Sequence, residues 1–158
     1  MPSSLPHATK VIRLRRISHL LDKAIPIPGT KFRFGLDPIL GLLPGGGDTI
    51  TGALSAYIVV EAARMGVPRP ILGQMIGNIL LDSLVGLVPV LGDVFDVGWK
   101  SNVKNIALLE EYLKLDKTTH KVDRLFLFGL IVLLTSIVIG FGLIAVSVWQ
   151  WLWQQFGF

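Results

Sequence analysis

Five aspartates stand in a pattern that can do chemistry. Asp37 and Asp48 bracket one stretch, Asp82 and Asp93 bracket a second, and Asp96 follows Asp93 at helical spacing. Paired carboxylates can hold a divalent cation through oxygen ligands, move protons, or line an ion path. Gln74, Asn78 and Asp82 recur every fourth residue in an otherwise apolar run, which puts them on one face of a helix. Polar groups inside apolar helices are costly, so they point to function or to specific helix packing. Lys100, Asn102 and Asn105 lie just downstream. Asp96 and Lys100 are spaced to form a surface pair.

The two stretches are copies of one device. Asp37 to Asp48 closes Gly-Leu-Leu-Pro-Gly-Gly-Gly-Asp, and Asp82 to Asp93 closes Gly-Leu-Val-Pro-Val-Leu-Gly-Asp. Pro44 and Pro89 break the preceding helix. Gly47 and Gly92 let the chain turn. Asp48 and Asp93 can cap the helices that follow. On one reading each copy is a helix-break-helix corner whose acids are caps. On the other, the breaks aim helix ends into a shared space, with Asp37, Asp48, Asp82 and Asp93 at one mouth. Both readings use the same residues.

Enzymatic signatures are missing. Pro-Gly-Gly-Gly-Asp lacks the Gly-Lys-Ser/Thr of a phosphate-binding loop. There is no Gly-x-Ser-x-Gly elbow and no His-Glu-x-x-His helix. The chain has no Cys, and His7, His19 and His120 lack metal-ligand spacing. No catalytic residue and no cofactor is implied. Whether the acids hold a metal is left open by their spacing.

The elements that position these residues are apolar. Of 158 residues, 51% are apolar and 16% charged, and the mean hydropathy is +0.62; an ordinary soluble domain is about 25% charged. Leu125 to Phe158 contains no charged residue. A bilayer core needs roughly 20 apolar residues of helix, so Leu125 to Trp149 reads as a transmembrane helix. Lys117, Lys121 and Arg124 flank it on one side and Trp149, Trp151 and Trp153 on the other, the expected interfacial anchors.

Thr49 to Met65 and Ile71 to Val88 read as two shorter spans. The Gly66-Val67-Pro68-Arg69-Pro70 turn joins them as an antiparallel hairpin. Gly52 with Ala56, and Gly73 with Gly77, have the spacing of small residues at close helix contacts. Val94 to Lys114 is amphipathic, with Phe95, Trp99, Val103, Ile106 and Leu113 on one stripe, and is placed on the membrane surface or against the hairpin. Val11 to Ile25 is a basic amphipathic helix ended by Pro26 and Pro28, without the apolar core of a signal peptide.

The expected fold is therefore an all-α integral membrane protein with two internal broken-helix repeats and a C-terminal transmembrane helix. Three segments follow: a basic helix and linker over 1–35, a two-repeat core over 36–115, and a charged linker with the final helix over 116–158. Basic residues cluster before Asp37 and between Lys100 and Arg124. The positive-inside rule then puts the N-terminus on the cytoplasmic side and the C-terminus opposite. With three spans, the hairpin turn falls on the far side from the start of the final helix. The expected partners are the bilayer with its anionic headgroups and a second copy or another membrane protein. Nucleic acid is not expected, because the cations flank apolar segments.

Asp37 to Leu113 resembles the domain of unknown function 4112 family. The resemblance rests on the double Gly-aliphatic-aliphatic-Pro-x-x-Gly-Asp motif, the Met75/Asn78/Asp82 stretch between, and the continuation through Phe95-Asp96, Trp99-Lys100, Asn102 and Asn105 to Leu108-Leu109. The basic helix and the final span lie outside the closest match. The resemblance implies a small membrane-associated module and brings no activity with it. A scaffold or assembly role fits motifs explained by folding; an ion or small-solute path is the alternative. Asn102 and Asn105 either bond helix carbonyls or form a solvated face, the plainer account.

Overall fold

A computed structural model describes residues 7–23, 25–26, 33–34, 47–86, 100–115 and 122–156. Five helices carry nearly all of them: α1 (Ala8–Lys23), α2 (Gly47–Arg64), α3 (Arg69–Gly86), α4 (Ser101–Leu115) and α5 (Arg124–Phe156). Among the described residues the one ladder is antiparallel and two residues long, β1 (Ile25–Pro26) on β2 (Arg33–Phe34), with Ile25 opposite Phe34. The expected helical class holds. The two Pro-Gly corners lie outside the described residues, apart from Gly47 and Asp48 opening α2 and Asp82 to Gly86 closing α3.

The α2–α3 hairpin forms where its turn residues predict it. Gly66 takes φ of 85°, a left-handed conformation open to a residue without Cβ. Gly66 N–H bonds the Ala63 carbonyl at 3.0 Å and Val67 N–H reaches back to the Ala62 carbonyl at 3.2 Å, the paired bonds of a Schellman cap. Pro68 then starts α3, its carbonyl accepting from Ile71 and Leu72.

Apolar faces set the packing. Ile58, Val59, Ala62 and Ala63 of α2 meet Leu72, Met75 and Ile79 of α3, Ile106 and Leu109 of α4, Leu14 of α1, and Leu130 and Leu134 of α5 in one core. Gly52 touches α5 rather than α3: a Cβ there would lie 3.4 Å from Val138 Cγ2. Gly73 and Gly77 have open space where a Cβ would be and face outward. The hairpin's Gly52, Gly73 and Gly77 thus do not form the contact between its two helices.

Chain direction follows from the contacts. α4 runs antiparallel to α3, with Ser101 bonded to Asp82 at one end and Tyr112 Oη donating to the Gly66 carbonyl at the other. α1 runs antiparallel to α4, with Asp22 against Asn102 and Arg15 against Glu110. α5 starts beside the hairpin turn, where Arg69 lies 3.5 Å from Asp123 and 4.5 Å over the Phe126 ring.

This overturns the three-span arrangement. The turn and the start of α5 share one end of the bundle instead of lying on opposite faces, because α4 climbs back along α3. Among the described residues one helix is long and apolar enough to cross a membrane, Arg124–Gln155, and only 11% of its most apolar window is buried inside the fold.

Candidate functional site

The polar residues of α3 and α4 converge on a buried seam. Asn78 Nδ2 donates to Asn105 Oδ1 at 2.8 Å, and Asn105 Nδ2 donates to the Met75 carbonyl at 3.1 Å. Ser101 Oγ donates to Asp82 Oδ2 at 3.0 Å. Asn105 and Ser101 are buried. Bonds of this kind are strong in a low-dielectric interior and fix the register of two helices.

Asp22 joins this seam from α1. Lys100 immediately precedes α4, and its carbonyl accepts from Lys104 N–H. An ammonium side chain cannot accept a hydrogen bond, so Lys100 cannot cap the exposed N–H groups of α4. Asp22 does so from another helix: Oδ2 accepts from Val103 N–H at 2.8 Å and Oδ1 from Asn102 Nδ2 at 2.8 Å. Asp22 is 4% exposed. Burial pushes its carboxyl above the usual 3.8, against the lowering effect of the Asn102 and Val103 bonds and the nearby Lys100 charge.

Asn102 is fully buried, at 0% exposure, and its Oδ1 has no partner among the described residues. An unpaired buried acceptor costs about 1–3 kcal/mol. The side chain keeps its place because its amide nitrogen holds Asp22.

The sequence-predicted positions divide accordingly. Asn78, Asp82, Asn102 and Asn105 come together, whereas Gln74, on the same line as Asn78 and Asp82, is exposed. Asn102 and Asn105 are buried bridges, not a solvated face, which corrects that account: α4 packs on α1 through Asn102 and on α3 through Asn105. Lys100 sits at the start of α4, near Asp22. Asp37, Pro44, Pro89, Gly92, Asp93 and Asp96 lie outside the described residues, and the side chain of Asp48 is likewise undescribed. Among the described residues no group of three His, Cys, Asp or Glu could hold a metal ion.

Asp22 escapes the sequence reading. Its signal is its place on α1: Leu14, Ser18, Leu21 and Asp22 form the buried side, so an acid ends a stripe otherwise turned inward. At the opposite end, buried Glu61 is held by Arg64 at 2.6 Å and Lys10 at 3.6 Å.

A family model described as "Domain of unknown function (DUF4112)" matches residues 10–113. The match takes in most of α1, which the motif resemblance leaves outside; the Asp22 and Arg15 contacts make α1 part of the same unit. The chain is also 35% identical over 85 residues to a Saccharomyces cerevisiae protein named as an uncharacterized membrane protein, covering 50% of this chain and 33% of that one. The matched stretch therefore spans about a third of that relative's length. No solved structure matches.

Proposed function

This chain belongs to the DUF4112 family, and we propose that it is a membrane-anchored assembly protein. The bundle α1–α4 is the folded module, and α5 is the anchor. One observation carries the reading: Asn78, Asp82, Ser101, Asn102 and Asn105 are spent on joining helices, while α5 from Leu125 onward presents a charge-free surface to whatever surrounds it. The relative named as a membrane protein supports the anchor.

The end of the bundle next to Val138 faces the membrane in this reading. Ile50, Leu81 and Leu84 are exposed there, and Lys23 and Lys100 lie at the same end, so apolar side chains meet the interface while cations meet anionic headgroups. In this reading the bundle lies on the cytoplasmic side and the end of α5 opposite, which the clustered basic residues support.

Blue-native electrophoresis and native mass measurement in mild detergent test the assembly role. The expected result is a discrete complex, with a second copy or with a co-purifying membrane protein. A free monomer with no partner overturns it.

The ion-path alternative draws on Asp82 and the repeated acids. Liposome flux lost in Asp82→Ala would favour it; unchanged flux removes its basis.

A further inference from the structure

The exposed surface of the bundle sorts by charge. α2 lies at its centre, in contact with each of the other four helices, and α4 packs on both α3 and α1. The outer positions of α1 and α4 are charged: Lys10, Arg13, Arg15 and Arg16 are exposed on the first, Glu111 and Lys114 on the second. The hairpin differs. Over 70–85 its single charge is Asp82, which accepts from Ser101 at the seam with α4. Over 50–63 it is Glu61, which is buried. The outer side of α3 is Gly73, Gln74, Gly77, Leu81 and Leu84, with open space beyond both glycines. α5, packed on α2, continues this charge-free surface.

The charged and the charge-free sides share one height. Arg69 meets Phe126 near the hairpin turn, and Gly52 meets Val138 toward the other end. α1 runs the same length, from Lys10 at Glu61 to Asp22 at Asn102. A bilayer surface cutting straight across the helices would give both sides one solvent. Hydrocarbon is costly for the arginines, and water does not support a contiguous apolar face. A surface running obliquely along the helices separates the two sides. The length of α5 asks for the same tilt. Its charge-free part, 125–156, is about 48 Å long at 1.5 Å per residue. A bilayer core is roughly 30 Å thick, and a helix too long for it leans. A leaning α5 brings one side of the bundle down and lifts the other.

The hairpin face is also graded along its length. Arg64 and Arg69 are exposed at the turn, at the end where Asp123 and Arg124 start α5. Gln74 follows, polar and uncharged. Leu81 and Leu84 of α3, with Ile50 of α2, are exposed farthest from the turn. Charged, polar and apolar positions follow one another as headgroups, interface and acyl chains do. A protein partner imposes no such order with depth. We propose that the outer face of the α2–α3 hairpin is seated in the acyl chains of the leaflet that α5 enters, while α1 and α4 face water. The hairpin does not cross the bilayer; it is a second hold on it. The seat rests on the membrane-anchored reading and adds a lipid-contacting surface to it.

Spin labels on single cysteines test it in the full-length protein, since the chain has none. The protein is placed in vesicles of phosphatidylcholine and phosphatidylglycerol. Collision of each label with oxygen, which concentrates in acyl chains, is compared with collision with a water-soluble nickel chelate. Labels at Gly77→Cys, Leu81→Cys and Leu84→Cys are expected to favour oxygen severalfold, as a label at Ile144→Cys on the anchor does. Labels at Arg16→Cys and Ala107→Cys, both exposed on the charged side, are expected to favour nickel severalfold. Nickel access at Leu81→Cys and Leu84→Cys, with oxygen access at Ile144→Cys, overturns the seat and leaves the anchor standing. Exclusion of both reagents from the hairpin labels overturns it in favour of a protein on that face. Nickel access at Ile144→Cys overturns anchor and seat together.

Discussion

The Asp22 carboxylate accepts a hydrogen bond from the Val103 amide at 2.8 Å, so the last turn of α1 caps the first turn of α4. Capping is usually local, from the residue that opens the helix. Here Lys100 occupies that place and cannot accept, and an acid from elsewhere in the chain supplies the missing oxygen. Asp22→Ala leaves the Val103 N–H and the Asn102 amide without partners. The expected loss is about 1–3 kcal/mol in denaturant unfolding. Asp22→Asn, which keeps one acceptor, is expected to lose less than half of that. Equal effects of the two substitutions would mean that the cap does not matter.

The same residue gives a pH dependence with a definite sign. Burial raises the Asp22 carboxyl in the folded protein above its ordinary 3.8, so the folded state holds the proton more tightly than the unfolded chain. The resulting stabilisation is fully present below the unfolded value and is lost as pH rises through the raised folded value. The Asp22→Asn variant has no proton to lose at this position. Denaturation midpoints of the two proteins, measured between about pH 3 and 8, should therefore shift relative to each other in favour of the variant as pH rises. Midpoints that run parallel across that range would show that the carboxyl titrates alike in the folded and unfolded chain.

Asn78 and Asn105 should be energetically coupled. Either substitution to Ala breaks the 2.8 Å bond and leaves the other amide short of a partner. A double-mutant cycle is expected to return a coupling of about 0.5–3 kcal/mol. Strict additivity would show that the bridge contributes nothing to joining α3 and α4.

Gly52 is a spacer for α5. Gly52→Ala places its Cβ at ordinary contact distance from Val138 and improves helix propensity by about 1 kcal/mol, so it should be neutral or stabilising. Gly52→Leu should cost about 1–3 kcal/mol by overpacking, and Val138→Ala should recover part of it. Thermal unfolding of the three variants checks the order.

Gly66→Ala should cost about 1–2 kcal/mol, because the φ of 85° is forced by the hairpin cap. Tyr112→Phe, which removes the 3.1 Å bond to the Gly66 carbonyl, should cost less. An unchanged midpoint for Gly66→Ala would mean that the turn relaxes into another conformation.

Local pattern reveals the helices and fails on their arrangement. The charge-free run marks α5, and Gly66-Val67-Pro68 marks the hairpin, because both signals lie within a few residues of what they specify. Asn102 and Asn105 read most plainly as a solvated face, since nothing nearby in sequence shows that Asp22, Asn78 and Met75 will surround them. The three-span arrangement fails for the same reason: hydropathy reads each helix alone, and the route of α4 back along α3 depends on pairs such as Ser101 with Asp82. Charge density leaves α1 open between a membrane surface and its own domain, and Leu14, Ser18, Leu21 and Asp22 commit it to the bundle.

The Asp22–Asn102 bond links residues 80 positions apart in sequence, and that separation sets an order of folding. Closing a long loop carries an entropic cost that local pairing avoids, and contacts between distant residues form slowly. The α2–α3 hairpin, closed by one short turn, can form early, and α4 can dock on it through Asn78 and Asn105. α1 is made before all of them, yet its Asp22 has no donors to receive until α4 exists. Among α1 to α4, the helix synthesised first is thus the last to be fixed, and its inward face stays sticky until then.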